Sequence, residues 1–471
     1  MSTHLAFDLG ASSGRAILGT LHESRIHIDE IHRFATPLVE RGEHLFWDIE
    51  ALEEQIRVGL DIGARAAPEL RSVSIDSWAV DYVPVGEAGQ PLRDPYAYRD
   101  PRTRGRLSQA LSRVPAEELY CRTGIQLLEI NTLYQLLADL DEEPELLTRT
   151  TWRLPIADYL LYRLSGRPVI ERTMASTTQL MDVQSGEWDL ELMRCFQLPQ
   201  TGWPGIVPPG TVLGGLKGWT RTGAPPRVIA SCSHDTAAAV AAVPARVDGP
   251  EWAFLSSGTW SLLGVERRDP ILSDAARENN FTNEAGLDHT IRFLKNLTGL
   301  WVLQECEREW RTADSTALLA QAGALPAPAL VLDLNDARLV ERGDMQARLV
   351  ACCRDRGAPI PGTRPEFVRL ILESLAASTG ALLRQLERVT GQRIEVLHVV
   401  GGGSQNDLLC DLTAHACGVR VIAGPAEATA LGNLLVQARA IGALPHGCTV
   451  RDVVRASCAT RAYNPTKSTI A

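Results

Sequence analysis

A chain of 471 residues, 45% hydrophobic and 22% charged, is too long for one ordinary domain and can bury more than one core. Its formal charge of −10 gives no electrostatic reason to approach nucleic acid or an acidic membrane surface, which points to small-molecule partners. The ten cysteines show no CxxC pair and no Cys/His run at zinc-ligand spacing, so they read as thiols of a reducing compartment.

Residues 1–4 have neither the charged nor the apolar region of a signal peptide. The longest apolar stretches, such as 237–243, are far short of a bilayer span. A cytoplasmic protein is expected, a monomer or small homo-oligomer, with no membrane or nucleic-acid partner.

In chain order, residues 5–8 read as a buried strand, 10–14 as a turn and 15–21 as a second strand. Residues 25–34 continue as a third, with Ile26, Ile28 and Ile31 in rough alternation. Asp48 is placed as the N-cap of a helix through 64, with Leu52, Ile56, Leu60 and Ala64 on one face. A strand over 72–76 follows. Three strands, a helix and a strand depart from strict βα alternation and suit a mixed sheet that begins with a meander.

The order recurs later. Residues 252–256 read as a strand, Ser257-Gly258 as a turn and 259–265 as the next strand. A long amphipathic helix over 364–389 precedes a strand over 396–400, which opens through Gly401-Gly402-Gly403. Helices over 406–416 and 428–441 flank a short strand at 419–422, and a last helix covers 450–456. The repetition reads as an old duplication. It predicts an α/β chain of two similar domains, 1–245 and 246–471, with a small-molecule cleft between them.

Four constellations carry chemistry. The run from Asp8 to Arg15, DLGASSGR, ends a strand in an acid and opens a loop of small residues. Its N–H groups and hydroxyls can close on phosphate oxygens, while Asp8 holds a hydrated Mg²⁺; the competing reading is a plain hairpin turn. Ser256-Ser257-Gly258-Thr259 is the matching turn of the second half, with the same alternative. In Ser233-His234-Asp235-Thr236 an acid between a buried strand and a helix can accept a hydroxyl proton, or merely cap the helix. The triple glycine lets backbone lie flat against a planar ring such as adenine, or simply turns the chain.

Trp78, Asp81, Arg99, Trp260, Asn296 and Gln304 read as pocket neighbours, with Asp81 and Asn296 suited to sugar hydroxyls. For Trp78, Trp260 and Trp301 core packing is an equal alternative. The only lysines are Lys217, Lys295 and Lys467, and no GxxxxGK[ST] sequence occurs. Any nucleotide is therefore handled without a P-loop.

Taken together, DLGASSGR, IDSWAVDY, AYRDPRT, NTLYQL, SHDTA, LSSGTWSL, LKNLTGLW and VVGGGSQN, in this order from Asp8 to about Gly442, resemble the FGGY carbohydrate kinases. The resemblance implies two actin-like, ribonuclease-H-like domains with mixed sheets flanked by helices, and ATP and sugar in the cleft. It implies a first phosphate loop of Ala11, Ser12, Ser13, Gly14 and Arg15, a second containing Thr259, and ATP contacts at Gln304 and Gly402. The sugar-side residues it implies are His234, Asp235, Thr236 and Asn296, with Asp235 as catalytic base. The expected reaction is ATP-dependent phosphorylation of the C1 hydroxyl of L-rhamnulose, with L-fuculose, L-ribulose or D-xylulose as alternative ketoses. A non-catalytic sensor on the same fold is the rival of another class, and a retained base argues against it. One departure stands out. The family's Trp-Gly-Val-Asp is here Trp78-Ala79-Val80-Asp81, and the methyl of Ala79 would narrow a sugar pocket.

Overall fold

The computed structural model describes residues 1–246, 248–312 and 315–465. The first half contains strands β1 (Ser2–Leu9), β2 (Ser13–His22) and β3 (Arg25–Ala35), helix α1 (Ile49–Ala66) and strand β4 (Leu70–Ser77). Helix α2 (Ile156–Ser165), strands β5 (Thr211–Gly215) and β6 (Arg227–Ala230) and helix α3 (Asp235–Ala241) come next. The second half contains β7 (Trp252–Ser257), β8 (Trp260–Arg267), β9 (Thr282–Ala285), β10 (Ile291–Thr298) and α4 (Trp301–Trp310). It ends with α5 (Arg364–Thr390), β11 (Val396–Val400), α6 (Asp407–Cys417), β12 (Arg420–Ala423), α7 (Ala428–Ala440), α8 (Val450–Ser457) and β13 (Arg461–Tyr463). The strands and helices expected in both halves form within a few residues of their anticipated limits.

These elements build two compact units. The first comprises Met1–Ala242, Glu266–Phe293 and Ala428–Ser457; the second comprises Val243–Val265, Leu294–Glu427 and Cys458–Ala471. The chain crosses between units near residue 243, but two segments of the C-terminal half return to the first unit.

The first unit is a mixed six-stranded sheet in the order β5-β6-β4-β1-β2-β3. β1 lies antiparallel to β2 and parallel to β4. Leu5, Phe7 and Leu9 are buried and share a core with Leu52 and Ile56 of α1, Val73 and Ile75 of β4, and Leu160 of α2. A central strand covered by helices reads as a continuous apolar run, as β1 does up to its acid. Asp48 caps α1, its Oδ1 accepting from the amide of Ala51 at 2.9 Å. Helix α7 packs against α3 so closely that a Cβ at position 432 would lie 1.9 Å from the carbonyl oxygen of Ala238. Gly432 is required there, and its helix delivers Asn433 and Gln437 to the sheet.

The second sheet has the order β9-β10-β8-β7-β11-β12-β13. β7 is antiparallel to β8 and parallel to β11. Helix α5 starts in a capping box between Thr363 and Glu366 and stops at Gly391, whose φ is +68°. Among the described residues no helix is long and apolar enough to cross a membrane.

Candidate active site

The register of β1 sets the first group of charges. Asp8 is paired across the sheet with Arg15 on β2 and with Asp76 on β4. Arg15 Nη2 donates to Asp8 Oδ2 at 2.5 Å, and its Nη1 lies 3.7 Å from Glu30 Oε2. Asp76 is fully buried; burial first, then the Asp8 carboxylate, holds its carboxyl well above the usual range. Its Oδ2 accepts from Asn433 Nδ2 at 2.5 Å, while Oδ1 has no hydrogen-bond partner among the described residues.

Asn433 is itself oriented. Its Oδ1 accepts from Gln437 Nε2 at 2.8 Å, and Gln437 Oε1 accepts from the Ser72 hydroxyl at 2.7 Å. Ser72 in turn faces Nδ1 of His4 at 2.8 Å, and burial, ahead of the charge of Arg71, pushes His4 down to about 4. The chain of donors leaves the Asn433 amide one orientation.

The turn after β1 is tethered rather than loose. Gly10 N–H donates to Ser13 O at 3.0 Å, and Thr36 donates to Gly10 O through its hydroxyl (2.6 Å) and to Ser12 O through its amide (3.2 Å). Ser12 is exposed and Ala11 and Ser13 are half-buried. Gly14 and Arg15 already belong to β2, and the ring of Phe34 occupies the space where a Cβ on residue 14 would sit.

β6 leads into the second group. Ser77 N–H donates to Ser233 O at 2.9 Å, Ser233 N–H to Glu171 Oε2 at 2.9 Å, and His234 N–H to Thr173 Oγ1 at 3.2 Å. Residues 233 and 234 are thereby pinned from two sides. His234, not Asp235, is the N-cap of α3, and Asp235 opens the helix. Asp235 Oδ1 accepts from the amide and the hydroxyl of Thr236, the latter at 3.0 Å. Its side chain keeps 32% of its surface open. Desolvation of the enclosed part is the largest cause that pushes Asp235 up to about 7; Thr236 opposes the shift and the Asp8 carboxylate adds to it. Asp8, Asp76 and Asp235 thus form one electrostatic group in the first unit.

The segment after β4 corrects one expectation. Asp81 is 1% exposed and is a hub of the core. Its Oδ2 accepts from Trp47 Nε1 (2.7 Å), Trp78 Nε1 (2.9 Å) and Tyr98 N–H (3.1 Å), and its Oδ1 from Gln135 Nε2 (2.8 Å). At that burial neither oxygen is accessible to a sugar hydroxyl. Trp78 packs on Trp47 with ring centroids 4.5 Å apart, so it too belongs to the core. Arg99 is exposed, 5.5 Å from the ring of Tyr98. Ala79 is half-buried beside Val80, a β-branched residue held at φ +70°. Val80 O accepts from Thr132 Oγ1 at 2.6 Å and from Gln135 Nε2 at 3.3 Å, which keeps the strained turn in place.

In the second unit the expected nucleotide residues converge in part. Thr259 Oγ1 donates to Gln304 Oε1 at 3.1 Å. The amides of Leu300 and Trp301 donate to Gly258 O and Thr259 O at 2.8 and 3.2 Å, which seats the start of α4 on the turn. Gly401 and Gly403 pack on Ser257: a Cβ at 403 would lie 2.0 Å from its Oγ. Gly402, between them, is exposed, and a Cβ there would meet nothing within 4 Å. Of the three glycines, Gly402 alone leaves open space beside its backbone. Trp260 is 44% exposed, and Asn296 sits half-buried on β10.

Asn433, Glu284 and Arg292 lie outside the quoted motifs, and Asp76, inside IDSWAVDY, was not singled out. For Asp76 a signal existed, since β4 ends in an acid as β1 does. Asn433 and Arg292 lie in unremarkable helical and strand sequence.

Residues 3–242 match the model of the N-terminal domain of the FGGY family of carbohydrate kinases, and residues 253–441 that of its C-terminal domain. The chain is 40% identical to a rhamnulokinase of Bacteroides thetaiotaomicron, covering 98% of this chain and 95% of that protein. It is 41% identical to a rhamnulokinase of Bacillus subtilis at the same coverage. In fold it is similar to a ligand-bound xylulose kinase of Lactobacillus acidophilus, with a TM-score of 0.80 at 15% identity over 99% of this chain and 94% of that one. A Plasmodium falciparum glycerol kinase with ADP gives a TM-score of 0.78 at 15% identity and the same coverage.

Proposed function

This chain belongs to the FGGY family of carbohydrate kinases, and from that premise we propose that it transfers the terminal phosphoryl group of ATP to the C1 hydroxyl of L-rhamnulose. The products are L-rhamnulose 1-phosphate and ADP. Support for the sugar comes from the two relatives named rhamnulokinase, each covering 98% of the chain.

The observation that carries the mechanism is Asp235: a partly open carboxyl, fixed at the head of α3 and pushed up to about 7. A base poised near the working pH accepts a proton with the best compromise between availability and strength. Asp235 takes the proton of the C1 hydroxyl as that oxygen attacks the γ-phosphorus in line. The new O–P bond forms, the bond to the β,γ-bridging oxygen breaks, and ADP leaves. Positioning and charge neutralisation do most of the work in such a transfer.

The turn of Ala11, Ser12 and Ser13, with Gly14 and Arg15, contacts the phosphates. Thr259, Gln304 and Gly402 hold the rest of ATP. His234, Thr236, Asn296 and the backbone at Ala79 face the sugar, and the Ala79 methyl restricts which ketoses enter. Mg²⁺ supplies neutralisation of phosphate charge when bound. Asp8 would hold the hydrated ion through water. The net charge of −10 favours small-molecule partners over nucleic acid or an acidic membrane surface.

ADP release by the purified protein with MgATP tests the reading, comparing L-rhamnulose with L-fuculose, L-ribulose, D-xylulose, glycerol and no sugar. The highest kcat/KM is expected with L-rhamnulose. A better ketose would keep the mechanism and make Ala79→Gly the next variant. No stimulation by any sugar would replace the kinase with a sensor.

A further inference from the structure

Behind the imidazole of His234, within the first unit, lies a buried ion pair that the phosphoryl-transfer scheme does not use. Arg292 on β10 is fully enclosed. Its Nε donates to Ala285 O at 3.0 Å, and its Nη2 lies 3.1 Å from Glu284 Oε2 and 3.1 Å from His234 Nδ1. A guanidinium carries donors only and keeps its proton in proteins. Nδ1 of His234 must therefore accept, and the single ring proton sits on Nε2.

Nε2 faces the other way, 3.4 Å from Asp235 Oδ1. The charged groups around the ring are Arg292 from β10, Glu284 from β9 and Asp235 from α3, with Glu171 on the Ser233 amide next to it. Glu284 Oε2 comes within 3.5 Å of Nδ1, but Arg292 already occupies that edge. Burial and then the Arg292 charge press His234 well below its ordinary value, so the ring stays neutral.

We propose that Arg292 is a positioning residue of this kinase: held by Glu284, it locks His234 in the neutral Nε2–H tautomer, so that the ring offers a donor to Asp235 and the sugar. The proposal rests on the reading of Asp235 as base. Its consequence for that base is directional. Asp235 Oδ1 meets the two Thr236 donors, with Nε2 of His234 3.4 Å away, which leaves Oδ2 without a donor among the described residues and assigns it the sugar proton. The opposite tautomer would set a bare lone pair against the carboxylate. An imidazolium would instead pair with Asp235 and weaken it as a base.

Nuclear magnetic resonance of the full chain carrying isotope-labelled histidine reads the tautomer directly, with the His234 signals identified by their loss in His234→Gln. The expected pattern is a proton on Nε2 and a bare Nδ1, unchanged from about pH 6 to about pH 8. A proton on Nδ1 anywhere in that range overturns the proposal. The double variant Glu284→Gln, Arg292→Met removes the pair without stranding one buried charge. It is expected to leave the His234 ring in a mixture of the two neutral tautomers and to lower kcat/KM for the sugar about 10- to 100-fold, with KM for ATP unchanged. Wild-type kcat/KM with a mixture of tautomers would overturn it. The parent reading is separable: full activity of Asp235→Asn removes the base and leaves the tautomer measurement standing. An inactive Asp235→Asn beside a fully active double variant removes only the role of Arg292.

Discussion

The two units put one strand arrangement to different uses. In the first, β1 lies between antiparallel β2 and parallel β4, with β6 beyond; in the second, β7 lies between antiparallel β8 and parallel β11, with β12 beyond. The penultimate residue of the leading strand is Asp8 in one unit and Ser256 in the other, and their parallel-strand partners are Asp76 and Val400. Burying two carboxyls side by side is unfavourable, as the raised Asp76 shows. The first unit accepts that cost beside Asp235. The second carries no charge at these positions, and its turn is packed instead by Gly401 and Gly403 against Ser257. Topology sets where a side chain can stand, and the residue at that position decides between handling charge and presenting a surface.

The largest expected effect breaks the comparison on the charged side. Asp235→Asn should lose about two decades of kcat or more while retaining ATP binding by calorimetry. Near-normal turnover would remove the base from the first unit. Next, Asp8→Ser makes the first hairpin resemble the second. It should raise the Mg²⁺ concentration for half-maximal activity about tenfold, whereas Ser256→Ala should change it less than about twofold. Equal responses would mean that the penultimate position does not divide the labour.

Two glycine variants sharpen the neutral side. Gly403→Ala drives a methyl onto Ser257 and should cost about 1–3 kcal/mol in denaturant unfolding. Gly402→Ala meets nothing, so stability should stay within about 0.5 kcal/mol while KM for ATP rises. The reverse ranking would place the nucleotide face elsewhere.

The smallest effect concerns pH. Asp235 must be deprotonated to act, so kcat/KM for the sugar should climb with pH and level off above about 7. Thr236→Val deletes a hydroxyl donor that favours the carboxylate, and should move that limb upward by about half a unit. A downward shift would show that Thr236 acts on the neutral acid.

Much of this was legible from local pattern. Both hairpins, the capped helix at Asp48 and the long helix before β11 follow from alternation, helical period and turn residues. Asp235 was legible as an acid between strand and helix, but whether it caps or reacts was open: its helix is capped by His234. Asp81 looked like a pocket acid because nothing nearby in sequence announces its partners. Two of them, Trp47 and Gln135, lie 34 and 54 residues away.

By itself the sequence determined the elements, the recurrence of the strand order, the absence of a P-loop and the motifs of a sugar kinase family. All of these are properties of neighbouring residues or of motif order. Only the tertiary structure decided which acids are buried together, which tautomer His234 holds and which glycine is open. Asp76 takes its hydrogen bond from Asn433, 357 residues along the chain, and His234 takes its proton state from Arg292, 58 residues along. Burial, charge and hydrogen bonding act through space, so the protonation of a side chain depends on contacts that the local order of residues does not contain.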